Sequence, residues 1–121
     1  MILSVRGAVK AYMTRDGSEI RELMHPTVHG NRSQSLAEAT VAPGQATRLH
    51  RHAITEELYH FTGGTGVMSL GDERFAVHPG DTICIPPGIS HCVENTGGEP
   101  LVILCACSPA YAHEDTELLG A

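Results

Sequence analysis

Three histidines and two glutamates crowd into the stretch LHRHAITEELYHFTGG, Leu49 to Gly64. Imidazoles and carboxylates at such spacing can hold a divalent ion, or can merely furnish a polar connection between two strands. On an extended chain, residues i and i+2 share a face about 6.6 Å apart, so His50 and His52 project together. After a four-residue connection, Glu57, Tyr59 and Phe61 share one face of a second run, and Leu58, His60 and Thr62 share the other. If Glu57 faces the same interior, two imidazoles and a carboxylate converge. His91, in GDTICIPPGISHCVEN, is a fourth candidate. Its Pro-Pro-Gly turn is rigid, and a ligand already set in place loses less entropy on binding.

Nitrogen and oxygen donors of this kind suit Mn, Fe, Co, Ni, Cu or Zn. Four protein ligands on an ion that prefers six leave positions for water, substrate or dioxygen. A structural zinc is usually closed by cysteines, and no such cluster is spaced here.

The elements that must position these groups read as strands. Gly, Pro, Asn and Asp break the chain every ~8–12 residues, an all-β rhythm. Strand composition marks SQSLAEATVA, ATRLHRH, EELYHFT, TGVMSL, RFAV, DTICIP, HCVEN and LVILCAC, and a hairpin turn is predicted at Gly71 and Asp72. SEIRELM, Ser18 to Met24, fits a strand better than a helix. The tail SPAYAHEDTELLGA is expected as a loop or a single helical turn. Many short strands in a small domain point to a sandwich or barrel.

The length of 121 residues suits one domain. The net charge is −6 and the eight basic residues are scattered, which argues against a nucleic-acid surface or a basic membrane-binding face. No apolar run approaches the ~20 residues of a membrane span, and the first residues lack the apolar core of a secretion signal. The cytoplasm is therefore the expected compartment, with Cys84, Cys92, Cys105 and Cys107 as reduced thiols.

Two spaced patterns carry a resemblance. Gly44, His50, His52, Glu57 and Gly64 resemble the first cupin motif, and Gly80, Pro86, Gly88, His91 and Asn95 resemble the second, with fifteen residues between them. The likeness implies an all-β, double-stranded β-helix (jelly-roll) barrel of antiparallel strands. It also implies one divalent metal, foremost Mn(II) or Fe(II), held by His50, His52, Glu57 and His91. The layout expected is a single cupin domain over 1–121, with an N-terminal arm about 1–32, a core barrel about 33–108 and a C-terminal tail 109–121.

Neighbouring residues refine the expectation. Arg48 shares parity with His50 and His52, so it either clamps an anionic ligand at the barrel mouth, lies in solvent where the strand is irregular, or serves a partner subunit. Tyr59 and Phe61 are expected to line the pocket, with the Tyr59 hydroxyl available to substrate. Glu56 and His60 should point outward, and only one face of LVILCAC can turn Cys105 or Cys107 inward. His25 and His29 read as loop residues, because Pro26 argues against a regular helix; His78 and His113 carry no signal.

Three functional classes fit. The leading one is an oxidoreductase, dioxygenase-like, acting on a small metal-chelating and even anionic molecule. Next come a metal-dependent isomerase, epimerase, lyase or decarboxylase on a sugar or carboxylic acid, ranked lower because no second carboxylate is evident near the site. The third is a non-catalytic small-molecule-binding module. A homodimer is expected, with the N-terminal segment, Leu58 and His60 available to the partner.

Overall fold

The computed structural model describes residues 1–120. Eleven strands pair throughout in antiparallel fashion and make two sheets. In chain order they are β1 (Tyr12–Met13), β2 (Glu19–Met24), β3 (Ser35–Val41), β4 (His50–His52), β5 (Glu56–Gly63), β6 (Gly66–Leu70), β7 (Glu73–Val77), β8 (Thr82–Ile85), β9 (His91–Asn95), β10 (Leu101–Ser108) and β11 (Thr116–Leu118). One sheet runs β1-β2-β3-β10-β5-β8, the other β11-β4-β9-β6-β7. The jelly-roll expectation is met.

Period-two alternation does most of the positioning. In β5, Glu57, Tyr59 and Phe61 are buried while Glu56 and Leu58 are exposed. In β10, Leu101, Ile103, Cys105 and Cys107 are buried in the same rhythm. Register then pairs Glu57 with Cys107, Tyr59 with Cys105 and Phe61 with Ile103, so polar and thiol groups gather at one end and apolar ones at the other. Phe61, Met68, Val77, Ile85, Val93 and Leu101 are almost inaccessible to solvent and form the floor of the core.

The hairpin between β6 and β7 turns on Gly71 and Asp72 as predicted, since Leu70 pairs with Glu73. Gly64 sits at φ +79°, where a Cβ would lie 2.5 Å from the Pro100 carbonyl oxygen; any larger residue there is opposed by both backbone and space.

Segments towards both ends of the chain add strands to the sheets. SEIRELM is a strand, and β2 pairs with β3 through Glu19–Thr40 and Glu22–Ala37, extending the larger sheet. The tail was expected as a loop or one helical turn; its 3-10 turn at His113–Asp115 is followed by β11, which pairs with β4. Asp115 receives the backbone N–H groups of Ile54 (2.9 Å) and Thr55 (3.0 Å), so the tail pins the turn that spaces His52 from Glu57.

Expectations for two segments change. Pro26–His29 is one helical turn, α1, rather than a loop: Pro tolerates the first turn, and His25 caps it by accepting from the Thr27 N–H at 3.1 Å. The strand holding the first histidines starts at His50, with only an isolated bridge from Ala46 to Glu94 before it.

Candidate metal centre

His50 and His52 lie two apart on β4, and β9 brings His91 directly opposite His50. The three rings offer nitrogen atoms that all lie within 4.8 Å of one another, a grouping able to hold a metal ion. All three side chains are buried.

Their outer nitrogens are fixed by acceptors. His50 Nδ1 donates to the Arg48 carbonyl oxygen at 2.7 Å, and His91 Nδ1 donates to the Ile89 carbonyl oxygen at 3.2 Å. His52 Nδ1 faces the Thr116 hydroxyl at 3.1 Å; that hydroxyl spends its hydrogen on the Ala112 carbonyl, so it accepts from the ring. Each imidazole therefore donates from Nδ1 and turns Nε2 inward, so that Nε2 is the atom an ion would take in place of a proton. Gly88, at φ +81° in the Pro-Pro-Gly turn, donates its N–H to the His52 carbonyl at 2.7 Å and ties the two motif segments together.

Glu57 approaches from β5. Its Oε1 lies 3.2 Å from His52 Nε2 and 3.7 Å from His91 Nε2. Oε1 and His91 Nε2 are both buried without a hydrogen-bond partner. Its other oxygen, Oε2, accepts from the Cys107 thiol at 3.3 Å. Burial opposes the charged carboxylate, but the facing His52 and His91 rings more than offset it and hold Glu57 down at about 2. Burial, with His91 alongside, pushes His50 below its ordinary value.

One carboxylate in the site has no counterpart in the sequence reading. Asp16, in the turn before β2, brings Oδ2 to 3.7 Å from His50 Nε2. Its Oδ1 is pinned by the Ser18 N–H (2.9 Å), the Ser18 hydroxyl (2.7 Å) and the Thr14 hydroxyl. The Asp-Gly-Ser triplet signals such a turn locally, but not that the turn lands beside β4. Glu22 is a second such residue: it lines the same pocket, with Oε1 accepting from the Tyr12 hydroxyl at 2.9 Å and Oε2 buried without a partner.

The structure places Tyr59 in the pocket wall and Phe61 in the core beneath it, with their rings 6.1 Å apart. Both Cys105 and Cys107 line the pocket as buried thiols, and burial raises their pKa values. Arg48 departs from the clamp alternative. It precedes the strand, its side chain is exposed, and it does not line the pocket. His60 is outside, bonded to Thr82, and His25 bonds the Tyr111 carbonyl oxygen at 2.7 Å. Among the described residues no helix is long and apolar enough to cross a membrane.

Comparisons with known proteins agree with this fold. An uncharacterized protein of Methanocaldococcus jannaschii is 52% identical over 92% of this chain and 89% of its own length. An oxalate-binding protein of Thermotoga maritima is 29% identical over 71% of each chain. The structure of the polyketide cyclase RemF from Streptomyces resistomycificus superposes with a TM-score of 0.84 at 24% identity, covering 100% of this chain and 87% of that one. Residues 37–107 match the cupin domain profile, and the chain belongs to the cupin family.

Proposed function

We propose that the chain is a divalent-metal-dependent enzyme in which His50, His52, His91 and Glu57 hold the ion and Asp16 moves a proton on a small chelating substrate. The buried, unpartnered pair Glu57 Oε1 and His91 Nε2 carries this reading. Leaving such an atom unpaired costs about 1–3 kcal/mol, and an ion shared between the two removes that cost. Mn(II) and Fe(II) are the favoured occupants, with Zn, Ni, Co and Cu compatible with the same donors.

When bound, the ion supplies Lewis-acid polarisation and orientation of a chelating ligand. Redox-neutral chemistry also needs a base within reach, and Asp16 meets that need: Oδ1 is anchored by three donors while Oδ2 faces the site. Tyr59 shapes the wall. The reading is thus an isomerase, lyase, decarboxylase or cyclase acting on an oxygen-rich organic molecule. The printed name of one structural neighbour, a polyketide cyclase, fits such a ligand.

Dioxygenase-like oxidation is the second reading. It is favoured by a donor set that suits Fe(II) or Mn(II) and by the apolar wall of Ile20, Val41 and Ile103, which suits an apolar gas such as dioxygen. It ranks second because two buried thiols, Cys105 and Cys107, share the pocket and are a liability beside an oxygen-activating ion. A cytoplasmic homodimer completes the proposal; the four free cysteines suit a reducing compartment.

Elemental analysis of protein purified without added metal should find a first-row ion bound to the chain. Chelating keto acids, hydroxyketones and phenols, screened by proton NMR in deuterated water without oxygen, should include one that gains solvent deuterium. Asp16→Asn should abolish that exchange while retaining metal. Turnover that requires dioxygen, with oxygen uptake, would put the oxidative reading first.

A further inference from the structure

We infer that Asp16 and Glu22 select against dianions, so that the pocket's ligand is a neutral or singly charged chelator carrying hydroxyl hydrogens and an apolar body. This rests on reading the site as a metal centre. The pocket is lined by the carboxylates of Asp16, Glu22 and Glu57, and among the described residues no lysine or arginine lines it. The three negative charges exceed the two positive charges of a divalent ion, so the loaded site carries no surplus to hold a doubly negative guest. A like charge forced beside Asp16 in a partly buried pocket is strongly disfavoured.

The unused acceptors say what is wanted instead. Glu22 Oε2 is buried with no hydrogen-bond partner, and Asp16 Oδ2 is left over once Oδ1 has taken its three donors. Both call for a donor hydrogen from the ligand. Glu57 Oε1 and His91 Nε2, also unpartnered, mark where the chelating end sits. Ile20, Val41 and Ile103 line the rest of the wall and suit a hydrocarbon or ring portion. Exposed Arg48 offers no compensating cation.

The test compares two probes on Mn(II)-loaded protein by titration calorimetry, oxalate as the dianion and acetohydroxamic acid, which chelates as the singly charged hydroxamate and releases its proton to the buffer, with metal content checked after each run. Asp16→Asn keeps a side-chain oxygen for the three donors and removes the charge. It should raise oxalate affinity about tenfold or more relative to the hydroxamate probe, with metal content unchanged. Glu22→Gln should shift the ratio in the same direction and serves if the first variant folds poorly. An unchanged ratio in both variants, or a loaded wild type that binds no acetohydroxamic acid, overturns the inference. A wild type that takes up no divalent ion refutes the metal reading itself, a result distinct from either.

Discussion

The Cys107 thiol donates to Glu57 Oε2 across 3.3 Å, because β10 and β5 set the two residues directly opposite each other. Burial, then the charge of Glu57, keeps that thiol protonated and hence a donor. The contact decides which carboxylate oxygen is left for the imidazoles. Cys107→Ala should therefore weaken Mn(II) or Zn(II) binding by about tenfold, the scale of losing a partner that orients a metal ligand. Cys107→Ser, which keeps a donor, should recover most of it in a chelator-competition titration. Equal loss in both variants would assign the residue to packing alone.

His91 is the only one of the four proposed ligands delivered by the second motif. His91→Ala should lower the bound metal by at least about tenfold while far-ultraviolet circular dichroism stays that of a β protein. Retention of the full metal content would remove the centre from the molecule.

How far these residues could be read in advance depends on the range of the forces that place them. Alternation in EELYHFTG and LVILCACS is local, so strand geometry showed that Glu57 and Tyr59 share one face and that a single face of the last long strand turns inward, while which face that is came only with the packing. The histidine spacings and the Pro-Pro-Gly turn are local as well. Asp16 and Glu22 were not legible as site residues, because β2 must first pair with β3 before either reaches the pocket. That Arg48 lies in solvent, as its irregular-strand alternative has it, has a similar origin. Parity arguments assume an unbroken strand, whereas here the ladder begins only at His50. The Thr116–Leu118 strand was hidden because three residues show too little periodicity to separate from a loop.

Arg48 matters through its backbone. Its N–H donates to the Asp16 carbonyl oxygen at 2.8 Å and its carbonyl accepts from His50 Nδ1 at 2.7 Å, while the guanidinium is outside the pocket. Arg48→Ala should change metal and anion binding by less than about twofold, as an exposed substitution does. Arg48→Pro removes the N–H and should loosen the Asp16 turn, visible as faster amide exchange at Ser18.

The outer face of the larger sheet carries the apolar row Leu36–Ala106–Leu58, in register across β3, β10 and β5, with Leu36 38% and Leu58 41% exposed. If the proposed homodimer uses this face, Leu58→Lys should shift light scattering to the monomer mass without altering metal content. A wild type that scatters as a monomer would remove the dimer.

Acid should lower the stability of the metal-free protein over two pH ranges, and the sign follows from the two shifted groups. His50 is depressed below its ordinary 6.5, so the unfolded chain binds more protons there, and stability falls as pH drops through that value. Glu57 is held at about 2 against an ordinary 4.5, so its contribution is complete above 4.5 and lost as pH falls from there towards 2. Denaturation midpoints should therefore decline from neutral pH downward, without a rise at any step. His50→Gln should flatten the upper range and Glu57→Gln the lower. Adding Mn(II) should raise stability near neutral pH and lose its effect in acid, because protons compete with the ion for the same imidazoles.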